Sequence, residues 1–574
     1  MSRDKYSGSE RKLLLAFDVG TTYSGISYRE RFPGQETAGG NAKIPSVLYY
    51  NKDGRVRAVG AETENDGMDI VAEEENLVKA EWFKLHLRPK RQEFATGTAK
   101  IPDLPLNKTV VDVLSDYLKH LNDCAKQYIQ EREPTYGSDI WNGKEIEYVL
   151  SHPNGWEGPQ QALMKQAAEK AGLITTGGRN KITFLTEGEA SLNRCIEKGL
   201  MSESIRKGEG VIIVDAGGGT LDLSAYAANP DGKTFKEIAE AQCHVKGSIF
   251  VTDAAEQHLD KTLRGSKFYR DISEMKRYFD KTTKCSFRDP SDPHYIRFGS
   301  ARDKEPKYNI TAGKLRLEGT DVASFFEPSI KCIVDGVLEQ RRTAHKSIAS
   351  VFLVGGFSAS DFLFKRVKET LEAYGLQVFR PDAQVNKVVA DGSISFILDH
   401  PVRARVTGRA YGASVCVPYQ PFNSEHKKRQ WQCFEMYSGE MAIPDGFSVI
   451  LPKNTQVTEA QEFRCTYSRG ASNPLFLKTM KKEILCYRGN KTPGLQKYQF
   501  MDDDPNNYQE ACTVKANLQN IPIPLCFGPK GLYYEIIIDI VLLFGTTELK
   551  AQIAWMEDGV EKRGEAEIIY DTDI

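Results

Sequence analysis

The turn that follows Asp18 in "LLLAFDVGTTYSGISY" (13–28) is written a second time after Asp215 in "VIIVDAGGGTLDLSAY" (211–226). Each copy is a short apolar run ending in Asp, then Gly and Thr, then alternating apolar and polar residues. The pattern predicts a strand, a tight glycine turn and a return strand. Two copies, far apart in one chain, predict two related lobes facing each other across a cleft.

A glycine-rich turn exposes backbone N–H groups, and missing side chains let a phosphate come close. Thr hydroxyls add donors. An Asp at the strand end repels phosphate, so it makes sense where a divalent cation lies between, since Mg²⁺ prefers oxygen ligands and keeps several waters. One such hairpin can equally be a plain glycine turn; a matched pair predicts that each lobe holds one side of a nucleotide's polyphosphate. Other phosphate loops fail. Gly232-Lys233-Thr234 lacks the first glycine of a Walker loop, because Ala227 stands there. A dinucleotide fingerprint needs a helix after its glycines, whereas "TLDLSAY" alternates, with Thr220, Asp222, Ser224 and Tyr226 on one face. Gly355-Gly356 ends a strand and precedes a helix, which suits a nucleoside or a simple turn.

Strands are predicted over 44–50, in "EIEYVLSHP" ended by Pro153, and in "SVFLVGG" (350–356). Helices are predicted over 109–131, in "PQQALMKQAAEKAGL", over 271–287 and 318–342, and in "SASDFLFKRVKETLEAYG". This alternation argues an α/β architecture. After about residue 417 the texture changes: 418–432 reads as a linker and 433–574 as an all-β domain. The run Ile536–Phe544 holds Asp539, is too short to span a bilayer, and reads as a buried strand.

With 574 residues the chain exceeds one ordinary core. Its 76 basic and 78 acidic residues give no electrostatic reason to expect nucleic acid or an anionic membrane. Eleven cysteines without C-x-x-C spacing argue against a disulfide framework or structural zinc and for a reducing compartment. The polar N-terminus, 1–11, reads as disordered, and no targeting segment is visible, which favours the cytoplasm or nucleus.

The constellation resembles the actin, sugar-kinase and heat-shock 70 kDa chaperone superfamily, and most closely its heat-shock 70 kDa branch. "FDVGTTYSG" and "VDAGGGTLDLS" resemble that family's two phosphate motifs, and "FLVGGFSASDFLFKRV" its adenosine motif. "KIPSVLYYNKDGRVRAVGAE", "VLSHPNGWEGPQQALMKQAAEKAGL", "LTEGEASLNRCIEKGL" and "NKVVADGSISF" are similar to further family segments, in family order, over about residues 12–415. The resemblance implies a two-lobed actin-like (ribonuclease H-like) ATPase domain at 12–417 and a smaller β-sandwich resembling the substrate-binding domain at 433–574. Lobe I would cover about 12–205, lobe II about 206–392, with a return to lobe I at 393–417. Departures are Thr186-Glu187-Gly188-Glu189 where the family has Asn-Glu-Pro-Thr, a loosely matched adenine-clamping helix, and no acidic-leucine linker.

By that resemblance Asp18 and Asp215 would hold hydrated Mg²⁺ and orient water, with Asp222 in its outer shell. Gly20, Thr21, Thr22 and Tyr23 would bind the β and γ phosphates, and Gly217, Gly218, Gly219 and Thr220 would cradle γ from the other lobe. Glu187 would support the metal or water. Lys84 resembles the catalytic lysine, although a lysine after Trp82-Phe83 can also be a snorkelling surface residue. Gly247 and Ser248 would touch the nucleotide or merely form a turn. Asp280 and Lys284 match the clamping helix, and Gly355, Gly356, Ser358 and Asn386 would bound the adenosine. The expected function is ATP and ADP binding with slow Mg²⁺-dependent hydrolysis, coupled to binding of unfolded or extended protein segments by the β domain. The sequence stops at Ile574 without a helical lid, so a held peptide would leave quickly. Two alternatives are a sugar or small-molecule kinase of the same superfamily and a nucleotide-gated scaffold without significant hydrolysis.

Overall fold

The computed structural model describes residues 12–32, 35–39, 43–89, 101–132, 141, 145–156, 158–175, 180–200, 205, 207–232, 234–381, 388–399, 402–458, 461–489, 498–544, 549–565 and 567–568. The expectation for 1–11 and the candidate Asn386 lie outside the described residues.

Two compact units divide between Val402 and Arg403, apart from a few residues after Trp156 that group with the second. The first unit contains both repeated hairpins. Lys12–Asp18 pairs antiparallel with Tyr23–Phe32 and parallel with Glu145–His152, which runs parallel to Lys181–Thr186. The second sheet has the same plan. Gly210–Ala216 pairs antiparallel with Leu221–Ala228 and parallel with Ile348–Val354, which runs parallel to Gln377–Phe379.

Apolar residues explain why these strands are central. Leu13, Leu15 and Phe17 pack with the Val110–Arg132 helix, through Val113, Leu114, Tyr117, Leu118 and Leu121. Leu14 and Ala16 point the other way, into a core shared with Val211, Ile213 and Val354 of the second sheet. That core also takes Ala190 and Leu192 of the Glu187–Glu197 helix and Val388, Ile394 and Phe396 of the Val388–Asp399 helix. Both faces of each central strand are therefore dry, as continuous apolar runs require.

The second unit is a pair of antiparallel sheets. One runs Phe434–Glu435, Met441–Leu451, Ala410–Pro418, Thr479–Tyr487, Tyr508–Asn517, and the other Glu462–Ala471, Gly531–Phe544, Leu549–Glu557, Val560–Arg563. Their inner faces share one core, including Leu451, Ile484 and Val514 from the first and Ile536, Ile538, Ile540 and Ile553 from the second. The strand Ala410–Pro418 pairs with Met441–Leu451, so the compact boundary precedes the one read near 417. The segment read as a linker, 418–432, carries a short helix, Ser424–Lys428, and the buried Arg429, whose guanidinium bonds Asp502 and Asp503 at 2.7 Å and lies 4.2 Å over Phe500.

Ile536–Phe544 lies within a strand with one face buried and the other mixed, since Val541 is buried on that second face. Ile537 is 65% exposed, and Asp539 accepts hydrogen bonds from Thr466 and Arg464. All eleven cysteines are free thiols. Among the described residues no helix is long and apolar enough to cross a membrane.

Candidate functional site

The two hairpin turns meet tip to tip. A Cβ on Gly219 would sit 3.0 Å from the Thr21 Cβ and from the Leu85 Cδ2, and one on Gly218 would sit 2.9 Å from the Thr22 Cγ2. Such distances leave no room for side chains, so glycine at 218 and 219 allows the two turns to touch. A third segment braces the second turn. The backbone N–H groups of Ser248, Ile249 and Gly247 donate to the carbonyls of Gly217, Gly218 and Gly219 at 3.1, 3.0 and 3.0 Å. Each trans peptide then aims the N–H of the next residue, Gly218, Gly219 or Thr220, the opposite way. This is the arrangement of donors that an anion requires.

Behind the turns lies a buried cluster of charge: Asp18, Glu187, Asp215 and Asp222, together with Lys84, all less than a tenth exposed. Lys84 Nζ donates to Glu187 Oε1 at 2.5 Å. Ser151 Oγ donates to Asp18 Oδ1 at 3.0 Å, and Ser191 Oγ to Asp215 Oδ2 at 2.8 Å. Burial pushes the Asp215 carboxyl up to about 7, helped by the charges of Glu187 and Asp18. Asp222 is raised well above the ordinary carboxylate range by burial and then by Glu187. Burial raises Glu187 too, despite Lys84. Burial pulls the Lys84 ammonium down, but Glu187 and Asp18 outweigh it and hold it above its usual value.

Four buried carboxyl groups share the one buried ammonium of Lys84 in this cluster, so positive charge is scarce there. Asp222 Oδ2 is buried with no hydrogen-bond partner among the described residues. Hard oxygen donors with unmet demand for a cation fit Mg²⁺. Among the described residues no three Asp, Glu, His or Cys side chains converge closely enough to ligate one ion directly. An ion at these residues would be held through its waters rather than by three direct side-chain ligands.

The Glu187 helix starts where it does for a local reason. Thr186 is its N-cap, its hydroxyl accepting from Glu189 N at 3.2 Å and donating to Glu189 Oε2 at 3.2 Å. The departure Thr-Glu-Gly-Glu thus supplies an N-cap, with the Glu189 carboxylate turned back onto the capping hydroxyl. A positive helix N-terminus also lies beside Glu187.

The remaining candidates fall around this centre. Gly355, at φ +85°, lies against the Asp215 carboxylate and the Ala216 carbonyl, where a Cβ would collide. The Ser358 hydroxyl donates back to Gly355 O at 2.6 Å, so it shapes that turn. Lys284 Nζ donates to Thr252 Oγ1 at 3.0 Å and pairs with Asp280, while Thr252 Oγ1 donates to Asp280 Oδ1 at 2.5 Å. Lys284 also reaches Ser248 O at 3.4 Å. Burial, then Glu64 and Asp280, raise the Tyr23 phenol, which places it beside both acids. Gly20 keeps the first turn tight, because a Cβ there would strike the Tyr23 carbonyl.

Sequence reasoning missed the polar groups that orient the acids: Ser151, Asn154 and Ser191. Asn154 N donates to Asp222 Oδ1 at 2.6 Å. The only trace in the sequence is position. Ser151 and Asn154 flank the end of a central strand, and Ser191 lies one turn beyond Glu187.

No family profile matches the chain. It is 21% identical to heat shock 70 kDa protein 12B of Homo sapiens over 555 residues, covering 79% of this chain and 78% of that protein. It is 22% identical to heat shock 70 kDa protein 12A of Mus musculus over 502 residues, 71% and 72% of the two chains. It is 23% identical to chaperone protein dnaK of Cyanophora paradoxa over 399 residues, 66% and 59% of the two chains.

Proposed function

We propose, starting from a chain that is a divergent relative of the heat-shock 70 kDa proteins with a two-lobed actin-like fold, that it binds ATP between its paired hairpin turns and hydrolyses it slowly. The observation that carries this reading is the meeting of Thr21 and Thr22 with Gly218 and Gly219 in front of a buried, cation-poor carboxylate cluster.

Phosphoryl transfer needs positioning and charge neutralisation more than covalent chemistry. The N–H groups of Gly218, Gly219 and Thr220 and the hydroxyls of Thr21 and Thr22 would grip the β and γ phosphates. Lys84 would meet charge developing on the γ phosphate. Asp18, Asp215 and Asp222 would hold hydrated magnesium, which when bound neutralises the phosphate oxygens. Glu187, carried by the helix that Thr186 caps, would align the attacking water. Gly355, Gly356, Ser358, Asp280 and Lys284 would border the adenosine.

Similarity to the heat-shock relatives over most of the chain favours this reading over a sugar kinase. Exposed apolar side chains on the second unit, Leu475, Phe476, Phe527 and Leu532, support capture of extended protein segments there.

The test measures MgATP and MgADP binding and turnover for wild type, Asp215→Ala and Lys84→Ala, with and without an extended apolar peptide. Wild type binds both nucleotides, each substitution lowers turnover about 10²-fold or more, and the peptide changes the turnover rate. Binding without hydrolysis supports the scaffold alternative. Phosphorylation of an added sugar supports the kinase. Turnover untouched by either substitution overturns the site.

A further inference from the structure

We propose that Asn154 is a positioning residue for this site: it staples the loop after the Glu145–His152 strand onto the second hairpin and fixes the direction in which Asp222 presents its carboxylate. The inference rests on the nucleotide reading above and adds a residue that the paired turns do not reveal.

Asn154 is 1% exposed and lies in the loop that leaves the first sheet. Its backbone N–H donates to Asp222 Oδ1 at 2.6 Å, a short bond to a carboxylate. Its side-chain Nδ2 lies 2.9 Å from Ser224 Oγ, 3.2 Å from Leu223 O and 3.2 Å from Gln242 O. Two of these partners are backbone carbonyls, which only accept, so the amide nitrogen must face them. Leu223 and Gln242 are paired residues on neighbouring strands of the second sheet. One side chain therefore ties a loop of the first lobe to two strands of the second.

The consequence falls on Asp222. With Oδ1 held by the Asn154 N–H, the carboxylate cannot rotate freely, and Oδ2 is left without a partner. That oxygen is the one available to an outer-shell water of a cation. The same loop carries Trp156, fully buried, whose ring centroid is 5.9 Å from Lys84 Nζ. A single loop thus places an aromatic wall beside Lys84 and locks Asp222. Removing the Asn154 amide takes away the two N–H donors that these three buried acceptors share and lets the loop drift, and the Asp222 carboxylate drifts with it.

The experiment uses the full chain. ATP affinity is measured by titration calorimetry with magnesium and with excess chelator for wild type, Asn154→Ala, Asp222→Asn and the double variant. Asn154→Ala should raise the magnesium concentration needed for half-maximal ATP binding by about tenfold to a hundredfold, the range for residues that orient metal-holding groups. ATP affinity in chelator should stay within about twofold of wild type, and Asn154→Ala should add nothing to Asp222→Asn, because coupled residues are not additive. Equal losses with and without magnesium, or additive effects with Asp222→Asn, overturn the assignment and reduce Asn154 to a packing residue. If Asn154→Ala fails to fold, Ser224→Ala, which removes one acceptor, must give the same magnesium-selective pattern at smaller amplitude; an unselective loss again overturns it. A wild type that binds no nucleotide overturns the proposed function and this assignment together, whereas a binding wild type with an unaltered Asn154→Ala overturns the assignment alone.

Discussion

Gly219 has no room for a side chain, because Thr21 of the opposite turn and Leu85 occupy the space a Cβ would take. Gly217 differs: a Cβ there would meet only the Thr220 carbonyl at 3.2 Å and its hydroxyl at 3.9 Å, within its own turn. Overpacking a well-fitted contact costs about 1–3 kcal/mol. Gly219→Ala is therefore expected to lower unfolding stability by about that much, and Gly217→Ala by clearly less. Urea unfolding of the unliganded protein compares them. Equal losses would mean the turns do not abut in solution. The same scale explains Thr186: a residue that breaks the family pattern is an N-cap, which keeps Glu187 at the start of its helix and near Lys84.

Among the elements, the Gly531–Phe544 strand shows how a uniform apolar run can conceal two different faces. Ile536, Ile538, Ile540 and Leu542 enter the sandwich core, while Ile537 points out and Asp539 holds Thr466 and Arg464. A strand alternates its side chains strictly, so register assigns each isoleucine its environment. Ile538→Ala should cost about 2–5 kcal/mol, as cavity-forming core truncations do. Ile537→Ala should stay within about 0.5 kcal/mol, as surface changes do. Denaturant unfolding of both variants checks this, and a reversal of the order would mean the register is off by one residue.

For the molecule as a whole, the charge cluster makes the stability of the unliganded first unit depend on pH. Asp215 titrates near 7 in the folded protein, against about 3.9 in an unfolded chain. Between those values the folded state holds a proton that the unfolded state has lost. Stability then falls as pH rises. The contribution is present below about pH 4 and is gone once pH passes about 7. Asp215→Asn has no such proton to lose, so its stability relative to wild type should improve from pH 5 to pH 8 in magnesium-free, nucleotide-free solution. Chemical unfolding across that range measures the difference, and a relative loss for Asp215→Asn as pH rises would contradict the burial of that carboxyl.

Much of this architecture is legible in the sequence. Apolar runs, glycine turns and helical spacing are local signals, and the strands at 12–32, 145–152, 210–228 and 348–354 and the helices at 110–132, 319–343 and 361–372 lie where those signals put them. Duplication of the Asp-Gly-Thr turn announced two lobes, because a repeated backbone geometry needs a repeated pattern of small and apolar residues. Other features were invisible, since they join residues that no local pattern links. The contact of Thr21 with Gly219, the pairing of Lys84 with Glu187 and the hold of Asn154 on Asp222 each bridge long stretches of chain. Which buried acid shares a neighbour's charge, and which oxygen is left without a partner, follows from packing two sheets around a common core, and only the folded chain decides it.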